Sequence, residues 1–210
     1  MMNKLSLALF VITFIIFNLL NTAHADDVPP NVLVKTTTEE VTTLLKQDKS
    51  EYANDRQKLY ALIDAKVLPH FDFQQMTQLA VGHFWRTATP AQQQDLVKQF
   101  RILLVRTYAG ALAAFNKQTI EFKPFSMAPD ATDVTVETQV KQPGQQPIPI
   151  NYSMKKEAGG WKVYDVNIDG VSLVLNYRGS FGSEIRQKGI NGLIQTLTAR
   201  NQQNNEPAKK

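Results

Sequence analysis

The spacing of hydrophobic residues in this chain of 210 residues changes near residue 116, and this change constrains the fold more than any other feature. Ahead of it, apolar residues recur every three or four positions, which is typical of the buried face of an α-helix. From there to residue 168 they alternate with polar residues, which is typical of half-buried β-strands. Because a helical pattern then returns, the order of elements predicts an α+β domain.

Capping residues indicate where the predicted helices begin. Thr89 and Pro90 are favourable at the N-cap and at the first position of a helix, and a long apolar stripe follows them. Asp72 is predicted to cap a short helix, and the apolar spacing within residues 52–68 predicts another. A last helical pattern, interrupted by glycines, is found within residues 171–199.

Four alternating segments between the helical regions predict strands. They are Thr119–Phe125, Thr132–Val140, Pro147–Lys155 and Trp161–Ile168. The connections between them carry Pro-Gly and Gly-Gly turns and are short, so neighbouring strands should pair in the antiparallel sense. The fold that we expect is therefore a set of helices packed on a curved antiparallel sheet of about four strands. Such a sheet can close into a cone with an internal apolar pocket.

The first 25 residues have the three parts of a secretory signal peptide. Lys4 precedes an apolar run over residues 5–20, which is shorter than the roughly 20 residues of a membrane-spanning helix. Ala23-His24-Ala25 then supplies small residues where a signal peptidase cleaves. The sequence therefore predicts an exported, soluble protein, located in the periplasm if the source is a Gram-negative bacterium.

The remainder of the chain divides into three segments. Residues 26–35 are predicted to form an extended arm, because Pro29-Pro30 disfavours a helix. Residues 36–199 are predicted to form a single domain. Residues 200–210 are almost entirely polar and are predicted to be a disordered tail.

Most patterns that indicate catalysis or metal binding are missing. The chain has no cysteine, only three histidines, and no glycine-rich phosphate-binding loop, so we predict no metal site and no cofactor. Asp165 and Asp169 lie four residues apart at a strand end, where turn and cap roles explain them better than a catalytic carboxylate pair does. The net charge of the chain is only +4, and its basic residues are scattered along the sequence. Neither feature indicates nucleic-acid binding.

Several separated segments carry a resemblance to a known family. They are PHFDFQQM at residues 69–76, LAVGHFWRTATPAQ at 79–92, FRILLVRTY at 100–108 and WKVYDVNIDGVSLVLNYR at 161–178. Together they resemble the MlaC family, also called the toluene-tolerance auxiliary family, over residues 36–199. The resemblance implies an α+β cone with a deep pocket for acyl chains.

The resemblance also implies a function and its partners. A member of this family would be a non-enzymatic periplasmic carrier of glycerophospholipid. It would exchange lipid with an outer-membrane lipoprotein–porin complex of the MlaA type. It would also exchange lipid with an inner-membrane ABC transporter of the MlaFEDB type, through its MCE-domain subunit. The outcome would be the maintenance of outer-membrane lipid asymmetry.

We expect the lipid pocket between the long helix and the strands. The residues expected to line it are Met76, Leu103, Tyr108, Leu112, Val136, Val163, Val166, Leu173 and Leu175, with Trp161 and Tyr164 near its mouth. For each of them the alternative is ordinary core packing. Two other functions remain open: a periplasmic chaperone or lipoprotein carrier with an apolar cavity, and an isomerase-like enzyme that uses Asp165 with a tyrosine.

Overall fold

Helices pack against one face of an antiparallel sheet in the computed structural model, which describes residues 28–115 and 117–203. The helices are α1 (Pro30–Gln47), α2 (Lys49–Asn54), α3 (Arg56–Lys66), α4 (Phe73–Val81), α5 (Pro90–Ala113) and α6 (Leu173–Gln203). Short 3₁₀ helices over Leu68–His70 and Gly82–Thr87 lie on either side of α4. The predicted signal peptide, residues 1–25, lies outside the described residues.

Side-chain caps begin the two helices that the sequence marks most clearly. The Thr89 hydroxyl accepts a hydrogen bond from the Gln92 N–H at 3.3 Å, and the Gln92 side chain accepts one from the Thr89 N–H at 2.9 Å. This capping box starts α5 where it was predicted. The Asp72 carboxylate accepts from the Gln75 N–H at 2.8 Å and starts α4 in the same way.

The prediction of an extended arm over residues 26–35 is wrong from Pro30 onward, where α1 begins. Pro29 is extended, with φ −56° and ψ 145°, but Pro30 occupies the first position of the helix. A proline is tolerated there because the N–H group that it lacks would have no partner within the helix. Val34 and Val41 are buried, so α1 packs against the domain along its length.

The sheet contains five strands in the order in which they occur in the chain. They are β1 (Thr119–Phe122), β2 (Asp133–Lys141), β3 (Ile148–Glu157), β4 (Gly160–Ile168) and the short β5 (Val171–Ser172). Every neighbouring pair is antiparallel, as predicted. Ser153 pairs with Asp165 and Met154 with Val163, so Tyr164 is an extra residue in β4. Such a bulge increases the twist of the sheet and bends it.

The last helix, α6, is sharply kinked at Gly189, which has φ 72° and ψ 177°. Its final turn is ordered because the Asn201 amide donates to the main-chain carbonyl and the side-chain oxygen of Gln99, both at 2.9 Å. The prediction of a disordered tail over residues 200–210 is therefore wrong for residues 200–203, which are helical. Residues 204–210 lie outside the described residues.

The buried apolar side chains form three clusters. The helical core contains Met76, Ala80, Val81, Trp85, Leu96, Phe100, Leu103, Leu104, Val174, Phe181, Ile185, Leu193 and Leu197. The sheet cluster contains Val34, Val136, Met154, Trp161, Val163, Val166 and Leu173. The outer helical cluster contains Val41, Leu45, Leu59, Leu62, Ile63, Leu68 and Ala109. Among the described residues, no helix combines the length and hydropathy needed to span a bilayer.

Candidate functional site

The inner face of the sheet forms a continuous apolar wall. Val136 on β2 pairs with Tyr152 on β3, and Tyr152 pairs with Val166 on β4. Residues directly opposite each other in antiparallel strands project on the same side of the sheet. Because side chains alternate along each strand, the wall continues to either side of these three, through Val134, Ile150, Met154 and Ile168. The bulge shifts this alternation in β4, so Val163 rather than Tyr164 lies in the wall.

This wall is closed at one end and open at the other. Near the β3–β4 turn, Met154, Trp161 and Val163 are 0%, 4% and 3% exposed. At the opposite end of the same strands, Ile148 on β3 and Val171 on β5 are 41% and 54% exposed. The wall therefore leads from a sealed apolar floor to an apolar opening.

Helices cover the wall unevenly. The sheet packs closely against α1, α4 and α6, mainly through β2 and β4, whereas α5 packs mainly against other helices. The α5 side chain that reaches the sheet cluster is Tyr108, which also contacts the helical core. Burial raises the pKa of its phenol.

Tyr152 lies at the centre of the wall, between Val136 and Val166. Burial raises the pKa of its phenol, while a hydrogen bond with the Thr138 hydroxyl lowers it. The Thr138 hydroxyl donates in turn to the Ile150 carbonyl at 2.7 Å. Tyr152 is half-buried and packs against the sheet cluster.

Six of the eleven predicted lining residues meet at this wall. Val136, Trp161, Val163, Val166 and Leu173 belong to the sheet cluster, and Tyr108 packs against it. They come from β2, β4, α5 and the start of α6. For these six residues, the fold forms the grouping that the sequence predicted.

The other five predicted residues lie elsewhere. Met76 and Leu103 are 1% and 0% exposed in the helical core, and Leu112 packs against the outer helical cluster. Tyr164 is the bulge residue, and its hydroxyl donates to the Asp133 carboxylate at 3.0 Å on the outer face of the sheet. Leu175 is 58% exposed.

Sequence reasoning missed several residues that belong to the sheet cluster or pack against it. They are Leu33 and Val34 on α1, Phe71 before α4, Phe122, Phe125 and Val134 near β1 and β2, and Ile150, Tyr152, Met154 and Ile168 on β3 and β4. The alternation of β3 contained the signal for its three members. No local pattern indicates Phe71, because a bridge to Val163, distant in sequence, places it there.

Asp165 has a structural role at the start of α6. Its carboxylate accepts hydrogen bonds from the Ser172 hydroxyl at 2.5 Å and from the Val174 N–H at 3.2 Å. These contacts lie on the outer side of the sheet, since Asp165 pairs with Ser153 rather than with a residue of the wall. Within the described ranges, no three potential metal ligands come together.

Two depressions lie on the surface, one among the helices and one between the helices and the β3–β4 turn. The larger has a volume of about 720 Å³ and follows α5 past Trp85 and Arg106. The smaller, of about 480 Å³, shares Asp64 and Arg101 with it and extends to Phe71. None of the predicted lipid-binding residues lines the larger depression.

Comparison with known proteins places this architecture in a family. The profile of the MlaC protein family matches residues 35–199. This chain belongs to the MlaC family. The match covers most of α1 and α6 and every element between them, and so includes all five strands of the sheet.

Two MlaC relatives and one solved structure are similar over most of their length. The toluene tolerance protein ttg2D of Pseudomonas putida is 27% identical over 169 residues, which are 80% of this chain and 78% of that protein. The intermembrane phospholipid transport system binding protein MlaC of Haemophilus influenzae is 23% identical over 188 residues, 88% of each chain. A phospholipid-binding protein from Ralstonia solanacearum, solved in complex with a phospholipid, is 41% identical with a TM-score of 0.78. That match covers 86% of this chain and 99% of the other.

Proposed function

We propose that this chain binds glycerophospholipid against the inner face of the sheet and carries it between membranes. The observation that carries the proposal is the apolar wall, closed at Trp161 and Met154 and open at Ile148 and Val171. A structure 41% identical to this chain was solved with a phospholipid bound, which supports the same class of ligand here.

The shape of the wall suits an amphiphile. Each methylene removed from water contributes about 0.8 kcal/mol, so a palmitoyl chain opposes exposure to water by about 12 kcal/mol. A carrier must therefore replace the bilayer with an apolar enclosure of similar depth. The charged head group is costly to bury. It belongs at the open end of the wall, with the acyl chains directed towards the sealed floor.

The transport step requires donor and acceptor complexes in two membranes. The family membership and the name of the Haemophilus influenzae relative support intermembrane phospholipid transport for this chain. We propose that it operates in the periplasm, after removal of residues 1–25, between MlaA-type and MlaFEDB-type complexes. The sequence pattern of those first residues supports export.

A chaperone or lipoprotein carrier could use a similar apolar wall, so the bound species decides between these functions. The purified chain, from Asp26 onward, should be examined by native mass spectrometry and its ligand extracted into organic solvent. We expect a stoichiometric phospholipid adduct. A bound polypeptide would favour the chaperone, and a chain that stays empty after incubation with phospholipid vesicles would contradict the carrier function.

A pair of matched variants tests where the lipid binds. Ile150 packs on the sheet cluster, and Ile150→Glu should lower the phospholipid content at least tenfold, because a carboxylate beside acyl chains is poorly solvated. Leu175 is exposed, so Leu175→Glu should retain the phospholipid content of the unmodified chain. Circular dichroism should show that both variants are folded. Equal phospholipid content in the two folded variants would rule out the wall as the lipid-binding site.

The transfer step needs its own test. The chain loaded with a fluorescent phospholipid should be mixed with proteoliposomes that contain an MlaFEDB-type complex, and with liposomes that lack it. We expect transfer to be faster with the complex. Equal rates would show that the chain binds lipid without exchanging it with such a partner.

A further inference from the structure

The larger depression is an elongated groove along α5, on the helical side of the molecule. α5 lines it from Pro90 to Arg106, with residues at the three- and four-residue spacing of one helix face. At 1.5 Å per residue this stripe is about 24 Å long. The opposite side of the groove is formed by Tyr60 on α3, Gln74 on α4 and Trp85.

The floor of the groove is apolar and firmly held. Val97, Ile102 and Val105 line it from α5, beside the Trp85 side chain, which is 9% exposed. The Gln93 amide donates a hydrogen bond to the Trp85 carbonyl at 3.0 Å, which links α5 to the opposite side of the groove. The volume of about 720 Å³ is within the range of ligand-binding clefts.

The rim of the groove is positively charged. Lys98, Arg101 and Arg106 line it together with a single acidic residue, Asp64, which accepts from Arg101 at 2.8 Å. Among the residues that the structure describes, Lys98 and Arg106 have no ion-pair partner. They are two helical turns apart, about 12 Å along α5. Two uncompensated cations therefore border the apolar floor.

We infer that this groove is a docking site for an acidic amphipathic helix of a partner protein. The apolar floor requires an apolar face on the occupant, and the cationic rim requires acidic residues beside that face. The length of the stripe matches about four turns of a helix. The occupant would carry carboxylates about two turns apart, opposite Lys98 and Arg106.

This site is separate from the proposed lipid site. None of the residues that line the groove belongs to the sheet cluster or packs against it. A partner can therefore bind the groove while phospholipid occupies the wall. Variants of the groove should keep their phospholipid, so failure of this inference is distinguishable from failure of the carrier function.

Photo-crosslinking in Gram-negative cells that export the full chain tests the inference. The probe is p-benzoylphenylalanine in place of Gln94, an exposed residue of the groove. The matched control carries it in place of Thr135, which is exposed on β2. We expect a discrete protein adduct at residue 94 and none at residue 135. The cross-linked peptide, sequenced by tandem mass spectrometry, should belong to an acidic amphipathic helix.

Charge reversal supplies the second readout. Lys98→Glu with Arg106→Glu should reduce the adduct at least tenfold, whereas Lys117→Glu with Lys155→Glu, two exposed cations outside the groove, should leave it unchanged. The phospholipid content of all variants should be equal by native mass spectrometry. An adduct to phospholipid, to a second copy of the chain or to a segment that is not an acidic helix would overturn the inference. So would the absence of an adduct, or one that charge reversal leaves unchanged.

Discussion

The Ser172 hydroxyl donates a hydrogen bond to the Asp165 carboxylate at 2.5 Å and accepts one from the Leu175 N–H at 3.1 Å. Asp165 also accepts from the Val174 N–H at 3.2 Å. These bonds satisfy N–H groups at the start of α6 that have no partner within the helix. The carboxylate that an enzyme would have used as an acid or base therefore holds the junction between sheet and helix.

Removal of this carboxylate should affect stability rather than ligand binding. Asp165→Ala is expected to lower the free energy of unfolding by about 1 to 3 kcal/mol, because it removes a helix cap and a charge-assisted hydrogen bond. Urea denaturation measures the change. Asp130→Ala, at an exposed loop position, should shift stability by less than about 0.5 kcal/mol. Loss of phospholipid from a variant with unchanged stability would contradict the structural role.

The first helix should contribute to the stability of the sheet. Val34 is 7% exposed in the sheet cluster, whereas Val32, on the same helix, is 40% exposed. Val34→Ala should cost about 1.5 to 3 kcal/mol, from two lost methyl groups and the cavity that remains. Val32→Ala should cost less than about 0.5 kcal/mol. Equal effects in urea denaturation would show that α1 does not pack on the sheet.

The kink in α6 should depend on glycine. Gly189 has φ 72° and ψ 177°, a conformation that almost only glycine adopts, although a Cβ there would meet no neighbouring atom. Gly189→Ala should therefore destabilise the protein by about 1 to 3 kcal/mol through backbone strain alone. Gly179 lies within α6 and also has open space, so Gly179→Ala should stabilise it by about 0.5 to 1 kcal/mol. Thermal unfolding distinguishes these opposite signs.

Acid should weaken the edge of the sheet at Glu121. Hydrogen bonds from Lys141, Lys123 and Gln139 lower the pKa of Glu121 from 4.5 to about 2. Because the pKa is lower in the folded state, this contribution is present above pH 4.5 and is lost as the pH falls to about 2.

Glu121→Gln should accordingly be less sensitive to acid between pH 4.5 and 2 than the unmodified chain. The melting temperature measured across that range gives the comparison. The groups are exposed, so 1 M NaCl should reduce the difference between the two proteins. Parallel pH curves at low salt would show that Glu121 contributes nothing to the acid sensitivity.

The architecture could be predicted largely from local patterns. Strand alternation and the caps at Thr89 and Asp72 depend on neighbouring residues, and the structure confirms them. The Pro29-Pro30 pair led to the wrong prediction of an extended arm, because proline disrupts the interior of a helix but is favourable at its first position. The end of α6 was missed because Asn201 bonds to Gln99, a contact distant in sequence.

The candidate site could be predicted only in part. Alternation correctly assigned Val136 and Val166 to one face, but the bulge at Tyr164 reverses the alternation within β4 and moves that side chain outward. Helical spacing identified Met76 and Leu103 as buried without showing that their neighbours are other helices rather than the sheet. The spacing of apolar residues along a helix shows which face is buried. It does not show whether that face packs against other helices or against the sheet, because tertiary packing decides this.

We expect the acyl chains of a bound phospholipid to lie against the inner face of the sheet. A phospholipid with a nitroxide near the end of one acyl chain, bound to the methyl-labelled chain, tests it directly by NMR. We expect the methyl signals of Ile150, Met154 and Ile168 to broaden, while those of Leu96 and Leu193 in the helical core stay sharp. Broadening confined to Val97 and Ile102 in the α5 groove, with sharp signals from the sheet cluster, would show that the acyl chains do not lie against the sheet.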